Sequence, residues 1–294
     1  MDNFYRFMIG QFTCISVSDG GFNYPVESLF KDVPLEKARE YLAERDLPTT
    51  HVYTPYTLLF IDTGRHKVLV DTGIGKYGAI TKTLFPEVDN SDTTPGIILE
   101  SLAQAGIAAQ EIDGIMITHA HPDHIGGNLD AEGGLQFPNA FYAIWKEEWD
   151  FWFSDERTAA LQVPPPFIEM ARTNLEPLRE SIILLDKEEE IVPGITAVAT
   201  PGHTPGHIAI SVASDGEQMM HISDAVIHPI HLELPNVLIR YDVLPEQTLA
   251  TRRSICDQMA REQTLVFAHH FPPFPNLGHI EKHGEGWRWR PLEA

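Results

Sequence analysis

The chain has 294 residues, of which 43% are hydrophobic and 21% are charged, as is typical of a globular protein large enough to bury a substantial core. Its 42 acidic and 21 basic residues give a net charge of −21, and a field of that sign repels nucleic-acid backbones and anionic membrane surfaces. We therefore expect neither as a partner, and no segment approaches the roughly 20 apolar residues that would span a bilayer.

The cysteines and the N-terminal residues bear on the compartment. Cys14 and Cys256 are isolated from each other and form no CxxC pattern, which suits buried, reduced thiols. The first residues lack the basic and apolar regions of a signal peptide. Both features predict a cytoplasmic protein.

Three strand-like runs and one helix are predicted at the start of the chain. Gly64 and Arg65, between the second and third runs, predict a hairpin turn. VPLEKAREYLAERD (33–46) has the period of an amphipathic helix, and the segment 33–56 is a candidate to cover a cleft. The strand-like runs are FTCISVSD (12–19), YTLLFIDTG (56–64) and HKVLVDTG (66–73).

A second helix is predicted over residues 93–107. Thr94 is a suitable N-cap, Pro95 suits the first turn and Gly106 suits the end. The buried strand IDGIMIT (112–118) follows and leads directly into a histidine-rich stretch.

The second half of the chain repeats this mixture of strands and helices. Helices are predicted over 165–180 and 244–263, and SIILLD, GITAVAT, HIAISVAS, QMMHISDA and TLVFA read as strands. Strands with helices outside them predict an α/β protein with two sheets packed face to face. We treat the chain as one domain, 1–294, with pseudo-duplicated halves of about 1–155 and 180–294.

The stretch THAHPDHIGG (118–127) is a candidate metal-binding motif. His119 and His121 are two residues apart, so in extended backbone their side chains point to the same side. Pro122 stiffens the turn that brings Asp123 and His124 toward the same point. Imidazole and carboxylate ligands suit zinc, manganese, iron or cobalt rather than calcium.

Three later strands also end in residues that can bind a metal. His203 follows GITAVA, Asp224 follows QMMHIS, and His269 with His270 follows TLVFA. Ligands of open α/β sheets gather where the strands stop. The sequence therefore predicts that these side chains join the histidine-rich motif in one site.

The ordered series HAHPDH, GHTPGH, SDA and a terminal histidine resembles the metallo-β-lactamase superfamily. The resemblance implies a four-layer αβ/βα sandwich with two metal ions at the sheet edges. VDTG (70–73) matches the strand end that precedes the motif in this family, and it implies a supporting role for Asp71. The resemblance implies that one metal is bound by His119, His121 and His203. The other would be bound by Asp123, His124 and the terminal histidine, and Asp224 would bridge the two.

The terminal ligand is ambiguous because His269 and His270 are adjacent. In the methyl parathion hydrolase and lactonase-like branch, which the sequence resembles most, this histidine is followed by an apolar residue and then proline. HFPPFP (270–275) fits that pattern with His270 as the ligand, and His269 is the alternative.

The resemblance implies metal-assisted hydrolysis. Two metal ions, expected to be zinc with manganese, iron or cobalt as alternatives, would supply hydroxide at neutral pH. Asp224 and Asp123 are the candidate catalytic residues: Asp224 would hold both metals and Asp123 would take part in proton transfer to the leaving group. No GxSxG motif occurs, so no serine nucleophile is expected.

The substrate is predicted from weaker features. The run FPNAFYAIWKEEWDFWF (137–153) is rich in aromatic residues, which either pack on the core or line an apolar pocket through Phe151, Trp152 or Phe153. These features favour a small hydrophobic ester, lactone or organophosphate triester. Acyl-homoserine lactonases commonly carry tyrosine three residues after the bridging aspartate, whereas this chain has Ile227, a departure that argues against that particular activity.

Several alternatives stay open at this point. A mononuclear iron dioxygenase of the same fold, or a weakly active protein that binds an effector at the metal, would carry the same motifs. His228 and His231 are candidates for the pocket wall. The aromatic-rich segments make a homodimer one expectation.

Overall fold

The apolar runs form two seven-stranded sheets in the computed structural model, which describes residues 2–79 and 85–292. In spatial order the first sheet contains β1 (Phe4–Ile9), β2 (Phe12–Pro25), β3 (His51–Asp62), β4 (Lys67–Val70), β5 (Gly114–Ile117), β6 (Phe141–Trp145) and β7 (Ile182–Leu185). The second contains, from the opposite end of the chain, β14 (Gly286–Pro291), β13 (Leu277–His283), β12 (Leu265–Phe267), β11 (Glu217–His221), β10 (Ile208–Ser214), β9 (Ile195–Ala199) and β8 (Glu189–Val192).

The helices lie between these strands in the chain. The longest are α2 (Leu35–Ala43), α7 (Pro165–Leu175) and α9 (Pro245–Glu262). The shorter ones are α1 (Val26–Leu29), α3 (Ile98–Gln104), α4 (Pro122–Ile125), α5 (Lys146–Trp152), α6 (Asp155–Ala160) and α8 (Ile230–Glu233). Among the described residues, no helix is both long and apolar enough to cross a membrane.

The core is divided into an inner layer and two outer layers. Met116 packs into the inner layer with residues of both sheets, among them Val70 and Ile210. Its neighbour Ile115 points the other way, into a cluster shared with Leu102 of α3, because successive side chains of a strand face opposite sides. On the far side, the second sheet packs against α9 in a third cluster. This arrangement confirms the predicted αβ/βα sandwich.

Strand direction determines which ends meet. β4, β5, β6 and β7 are mutually parallel, as are β11 and β12. The carboxyl ends of parallel neighbours lie at the same edge of a sheet, and that edge is where ligands gather in α/β folds. The histidine-rich stretch follows β5, and the other predicted ligands follow β9, β11 and β12.

Two local predictions were wrong. Thr94 does not cap the helix that follows it, because α3 begins only at Ile98 and Gly96 is left-handed, with φ of 90°. The carboxylate of Asp19, on a bulge of β2, accepts the Ile98 N–H at 2.7 Å instead. The strand predicted from Tyr56 also begins earlier than expected, since β3 starts at His51.

Candidate metal centre

The histidine-rich stretch turns sharply at the end of β5. His121 is still extended, with φ of −74° and ψ of 156°, and Pro122 opens the single-turn helix α4. This turn brings Asp123 and His124 back toward the strand end. A Cβ on Gly127 would lie 2.1 Å from the Thr72 carbonyl oxygen, so only glycine allows the motif to pack this closely on the loop after β4.

Three of the predicted histidines converge with Asp224 in one buried cluster. His121 Nδ1 lies 2.8 Å from His203 Nε2 and 3.1 Å from His119 Nε2. Asp224 Oδ2 lies 3.3 Å from His203 Nε2 and 3.7 Å from His119 Nε2. These atoms are close enough together to bind one metal ion.

The other carboxylate oxygen of Asp224 faces a second cluster. Asp224 Oδ1 lies 3.3 Å from His124 Nε2 and 3.4 Å from His270 Nε2. Asp123 Oδ2 lies 3.5 Å from His270 Nε2. Asp224 therefore stands between the two clusters, with one oxygen turned toward each.

The donor set fits divalent metal ions. His124 Nε2 and Asp224 Oδ1 are buried without a hydrogen-bond partner among the described residues, although they lie in a polar cluster. Burial holds the pKa of His119 and of His121 well below its usual range, so both present uncharged nitrogen lone pairs to the cluster. The separations are close to the edge of about 3.3 Å expected of a tetrahedron with Zn–N bonds of about 2.0–2.1 Å.

The second ring nitrogens of the histidines are held by oxygen acceptors. His124 Nδ1 lies 2.8 Å from Asp71 Oδ2, and Thr118 donates both its amide and its hydroxyl hydrogen to the same carboxylate. His270 Nδ1 lies 2.8 Å from the Pro55 carbonyl oxygen. Asp71 thus supports a ligand rather than joining the clusters, as the sequence predicts.

Asp242, which no sequence motif singles out, does the same for His203. Its Oδ1 lies 3.0 Å from His203 Nδ1, and its Oδ2 accepts the Ile239 N–H. Although burial opposes it, hydrogen bonds to Asp224 and Asp242 raise the pKa of His203 to about 9. Asp242 lies in a loop 39 residues after His203, and no spacing pattern marks it.

Glu148 of α5 is a further residue that sequence reasoning missed. Its buried carboxylate accepts four hydrogen bonds: from the Ala120 N–H and the Trp152 indole N–H at one oxygen, and from the Thr204 hydroxyl and the Gly206 N–H at the other. Ala120 lies between two predicted ligands, and Thr204 follows a third. Glu148 therefore ties together two loops that carry ligands.

His270, rather than His269, faces the carboxylates. The His269 ring stacks on His124 with a centroid distance of 4.3 Å, and neither of its nitrogens has a hydrogen-bond partner within the described residues. Both histidines lie near Asp123 and His124. The contacts of His270 with Asp123 and Asp224 favour it as the terminal ligand.

A cavity of about 730 Å³ opens onto the two clusters. Its floor includes Asp123, Asp224 and His270, and the rest of the wall is mainly apolar and aromatic. From the predicted cleft-covering segment 33–56, Thr54 contributes to the lining. The lining outside the floor includes Tyr24, Ser28, Leu29, Ile74, Tyr77, Phe85, Pro164, Phe167, Met170, Ile227, Ile239, Arg240 and Tyr241.

The aromatic run 137–153 packs on the core, which is one of the two arrangements expected from the sequence. Phe151 and Trp152 are fully buried in the outer core, and neither they nor Phe153 belong to the described lining of the cavity. Phe167 of α7 provides an aromatic wall instead and contacts the His121 ring edge-on at 5.6 Å. His228 and His231 are also buried outside the lining, and His231 Nε2 lies 2.9 Å from the Leu29 carbonyl oxygen.

The chain is similar in sequence to known metalloenzymes. A family model described as "Metallo-beta-lactamase superfamily" matches residues 53–285. An N-acyl homoserine lactonase of Bacillus cereus is 23% identical over 233 residues, which covers 74% of this chain and 81% of that protein. A probable metallo-hydrolase of Mycobacterium tuberculosis is 26% identical over 195 residues, covering 58% and 56%.

Solved structures show the same likeness over the whole fold. AidC, described as a dizinc quorum-quenching lactonase in complex with a product, superposes with a TM-score of 0.89 at 25% identity, covering 99% of this chain and 98% of that one. The hydrolase AbOPH superposes with a TM-score of 0.86 at 24% identity, covering 100% and 99%.

Proposed function

Because the chain belongs to the metallo-beta-lactamase superfamily, we propose that it is a dinuclear metal-dependent hydrolase that opens small hydrophobic lactones, with N-acyl homoserine lactones as the first candidates. One observation carries this proposal: at the floor of an apolar cavity, Asp224 turns one carboxylate oxygen toward each of two clusters of ligand-type side chains. The likeness to lactonases, AidC among them, supports the substrate class.

The proposed ligands are those predicted from the sequence. His119, His121 and His203 would hold one metal ion, Asp123, His124 and His270 would hold the other, and Asp224 would contribute to both. Zinc is the metal expected from this ligand set. When bound, such a pair of ions lowers the pKa of water toward neutrality and polarises a carbonyl oxygen.

Asp123 is the proposed proton carrier. Its side chain is 15% exposed and lines the cavity, whereas that of Asp224 is only 4% exposed. A carboxylate at the cavity floor is placed to accept a proton from the attacking water and return it to the oxygen that leaves when the lactone ring opens. Asp224 keeps the two clusters at a fixed separation.

The cavity favours uncharged substrates. Outside the floor, Glu169 and Arg240 are the charged members of its described lining, while leucine, isoleucine, phenylalanine and methionine side chains cover much of the wall. A volume of about 730 Å³ suits a lactone with a medium-length acyl chain. Neutral aryl esters and phosphotriesters would fit the same wall and are the second candidate class.

A substrate panel tests the proposal. The zinc-loaded protein is assayed with N-acyl homoserine lactones of increasing chain length, an aryl ester and a phosphotriester, and its metal content is measured. We expect lactone opening to be fastest, with about two metal ions per chain.

His121→Ala should lose one metal ion and nearly all activity, while His283→Ala, at an exposed histidine, serves as the matched control. A preference for the triester would move the protein to the second class. Activity with a single iron, or no turnover of any substrate, would contradict the proposal in favour of a dioxygenase or an effector-binding protein.

A further inference from the structure

The wall of the cavity close to Asp224 is apolar at Ile227. The residue three positions after Asp224 is Ile227, and it lines the cavity with an alkyl side chain. A substrate carbonyl oxygen on that side meets no hydrogen-bond donor from Ile227. A hydroxyl donor to a substrate in this cavity must therefore come from another element.

Tyr24, at the end of β2, brings a phenol to the cavity from the opposite sheet. Its oxygen lies 2.6 Å from the phenol oxygen of Tyr56. Tyr24 is half-buried and lines the cavity, whereas Tyr56 is completely buried behind it on β3. The ring of Tyr24 is fixed by edge contact with Phe22, at a centroid distance of 5.0 Å.

The pair lies next to the second ligand cluster. The Tyr56 ring meets the His270 ring edge-on at 5.6 Å. Burial, and to a smaller extent the charge of Asp123, raises the pKa of Tyr24 well above its usual range. Tyr24 is therefore protonated at neutral pH and can act as a hydrogen-bond donor but not as a base.

The hydrogen bond between the two phenols sets the direction of donation. Tyr56 is fully buried, and Tyr24 is its hydrogen-bond partner, so the lowest-cost arrangement once an acceptor binds is for Tyr56 to donate to Tyr24. The Tyr24 hydrogen is then directed to the acceptor in the cavity. Hydrogen bonds in such a chain strengthen one another.

We propose that the Tyr24 hydroxyl, positioned by Tyr56, donates a hydrogen bond to the carbonyl oxygen of the lactone ring. The inference rests on the proposed lactone function. During hydrolysis a water oxygen bonds to the carbonyl carbon, the ring C–O bond breaks, and the ring oxygen leaves with a proton. Tyr24 transfers no proton; it stabilises the negative charge that develops on the carbonyl oxygen.

Three variants test the inference. Tyr24→Phe keeps the ring contacts and should lower kcat about 10²-fold, as expected when one donor to a developing oxyanion is removed. Tyr56→Phe should give a smaller loss, about threefold to tenfold, and the double variant should match Tyr24→Phe alone because Tyr56 acts through Tyr24. Tyr53→Phe, at an exposed phenol on the same strand as Tyr56, is the matched control.

A comparison of two substrates shows whether Tyr24 donates to the lactone carbonyl oxygen or to the amide oxygen of the acyl chain. Tyr24→Phe should reduce kcat equally for an N-acyl homoserine lactone and for an alkyl lactone that has no amide. A loss confined to the amide-bearing substrate, or a change in KM with kcat unaltered, would overturn the assignment. Equal metal content in all variants is required, and a Tyr24→Phe protein with reduced zinc and normal turnover per zinc would also overturn it.

A binding measurement separates this inference from the proposed function. The lactam analogue presents the same carbonyl but resists opening, so its affinity for the zinc-loaded protein can be measured by calorimetry. The Tyr24→Phe substitution should weaken the affinity for the lactam about tenfold. If the wild type opens no lactone, the proposed function fails, while equal lactam affinities of the two proteins, or no binding by the wild type, would overturn the role of Tyr24.

Discussion

At the scale of single residues, the candidate ligands are oriented by acceptors on their outer nitrogens. Asp71 does this for His124, Asp242 for His203, and a backbone carbonyl for His270. An acceptor on the outer nitrogen fixes which nitrogen faces the cluster and makes it a better ligand. The two aspartates serve different clusters, so their effects can be separated.

Asp242→Asn should weaken metal binding at the His203 cluster about tenfold or more, because a neutral amide supports the imidazole less than a carboxylate does. Competition with a zinc chelator measures the zinc affinity of each site. Only the affinity of the site that contains His203 should fall. Asp186→Asn, at an exposed aspartate, controls for the loss of charge. Unchanged zinc affinity at both sites would mean that Asp242 does not support His203 as a metal ligand.

At the scale of secondary-structure elements, α5 joins the loops that follow β5 and β9. Glu148 makes this junction with four hydrogen bonds, and a Cβ on Gly206 would lie 2.1 Å from the Glu148 amide nitrogen. The close approach requires glycine at that point of the GHTPGH motif. We therefore expect α5 and the loops after β5 and β9 to fold as one unit.

Glu148→Gln should destabilise the fold and loosen both loops. The NH2 group of the glutamine amide cannot accept hydrogen bonds, so at least one buried donor that now faces a carboxylate oxygen is left unpaired, at a cost of about 1–3 kcal/mol. Thermal unfolding should show a lower Tm with and without zinc, and zinc affinity should fall as well. Glu147→Gln, at the neighbouring half-exposed position, is the control; a Glu148 variant as stable as that control would contradict the junction.

A second junction, at Asp19, should be sensitive to pH. Burial, partly offset by hydrogen bonds from the Ile74 and Ile98 amides, raises the pKa of Asp19 to about 7, from about 3.8. Since the folded protein then holds a proton that the unfolded chain has lost, this residue's contribution to stability is present below pH 4 and is lost as the pH rises toward 7.

Asp19→Asn should remove that dependence. The free energy of unfolding of the wild type, minus that of the variant, should fall between pH 4 and pH 7, as measured by urea unfolding at several pH values. A difference that is constant or rises across this window would contradict the raised pKa of Asp19.

At the scale of the whole molecule, the sequence predicts the fold and the ligand clusters better than the cavity. All seven proposed ligands lie in motifs at strand ends, only the choice between His269 and His270 being ambiguous, and parallel strands bring such ends together. Asp242, Glu148 and Tyr24 were not predicted because each reaches the site from a distant element with no fixed spacing. The sequence left open whether Phe151 and Trp152 pack on the core or line the pocket, because aromatic periodicity is the same for a core face and a pocket wall.

The two metal ions should also contribute to the stability of the whole fold. Their ligands come from both sheets, so the metal binds the folded chain and not the unfolded one. At a zinc concentration 100 times the dissociation constant, each site adds about 2.7 kcal/mol. Chelation should therefore lower the Tm and zinc should restore it, whereas a Tm unaffected by chelation would mean that no stabilising metal is bound.

If two metal ions at these clusters open a lactone, activity must follow zinc occupancy. The most direct test is the rate of N-acyl homoserine lactone opening by metal-free protein as zinc is added. We expect the rate to rise until about two equivalents are bound and then to level off, and Asp224→Asn to show no such rise. A protein that binds two zinc ions and opens no lactone, or one that opens lactones at full rate without metal, would contradict the account.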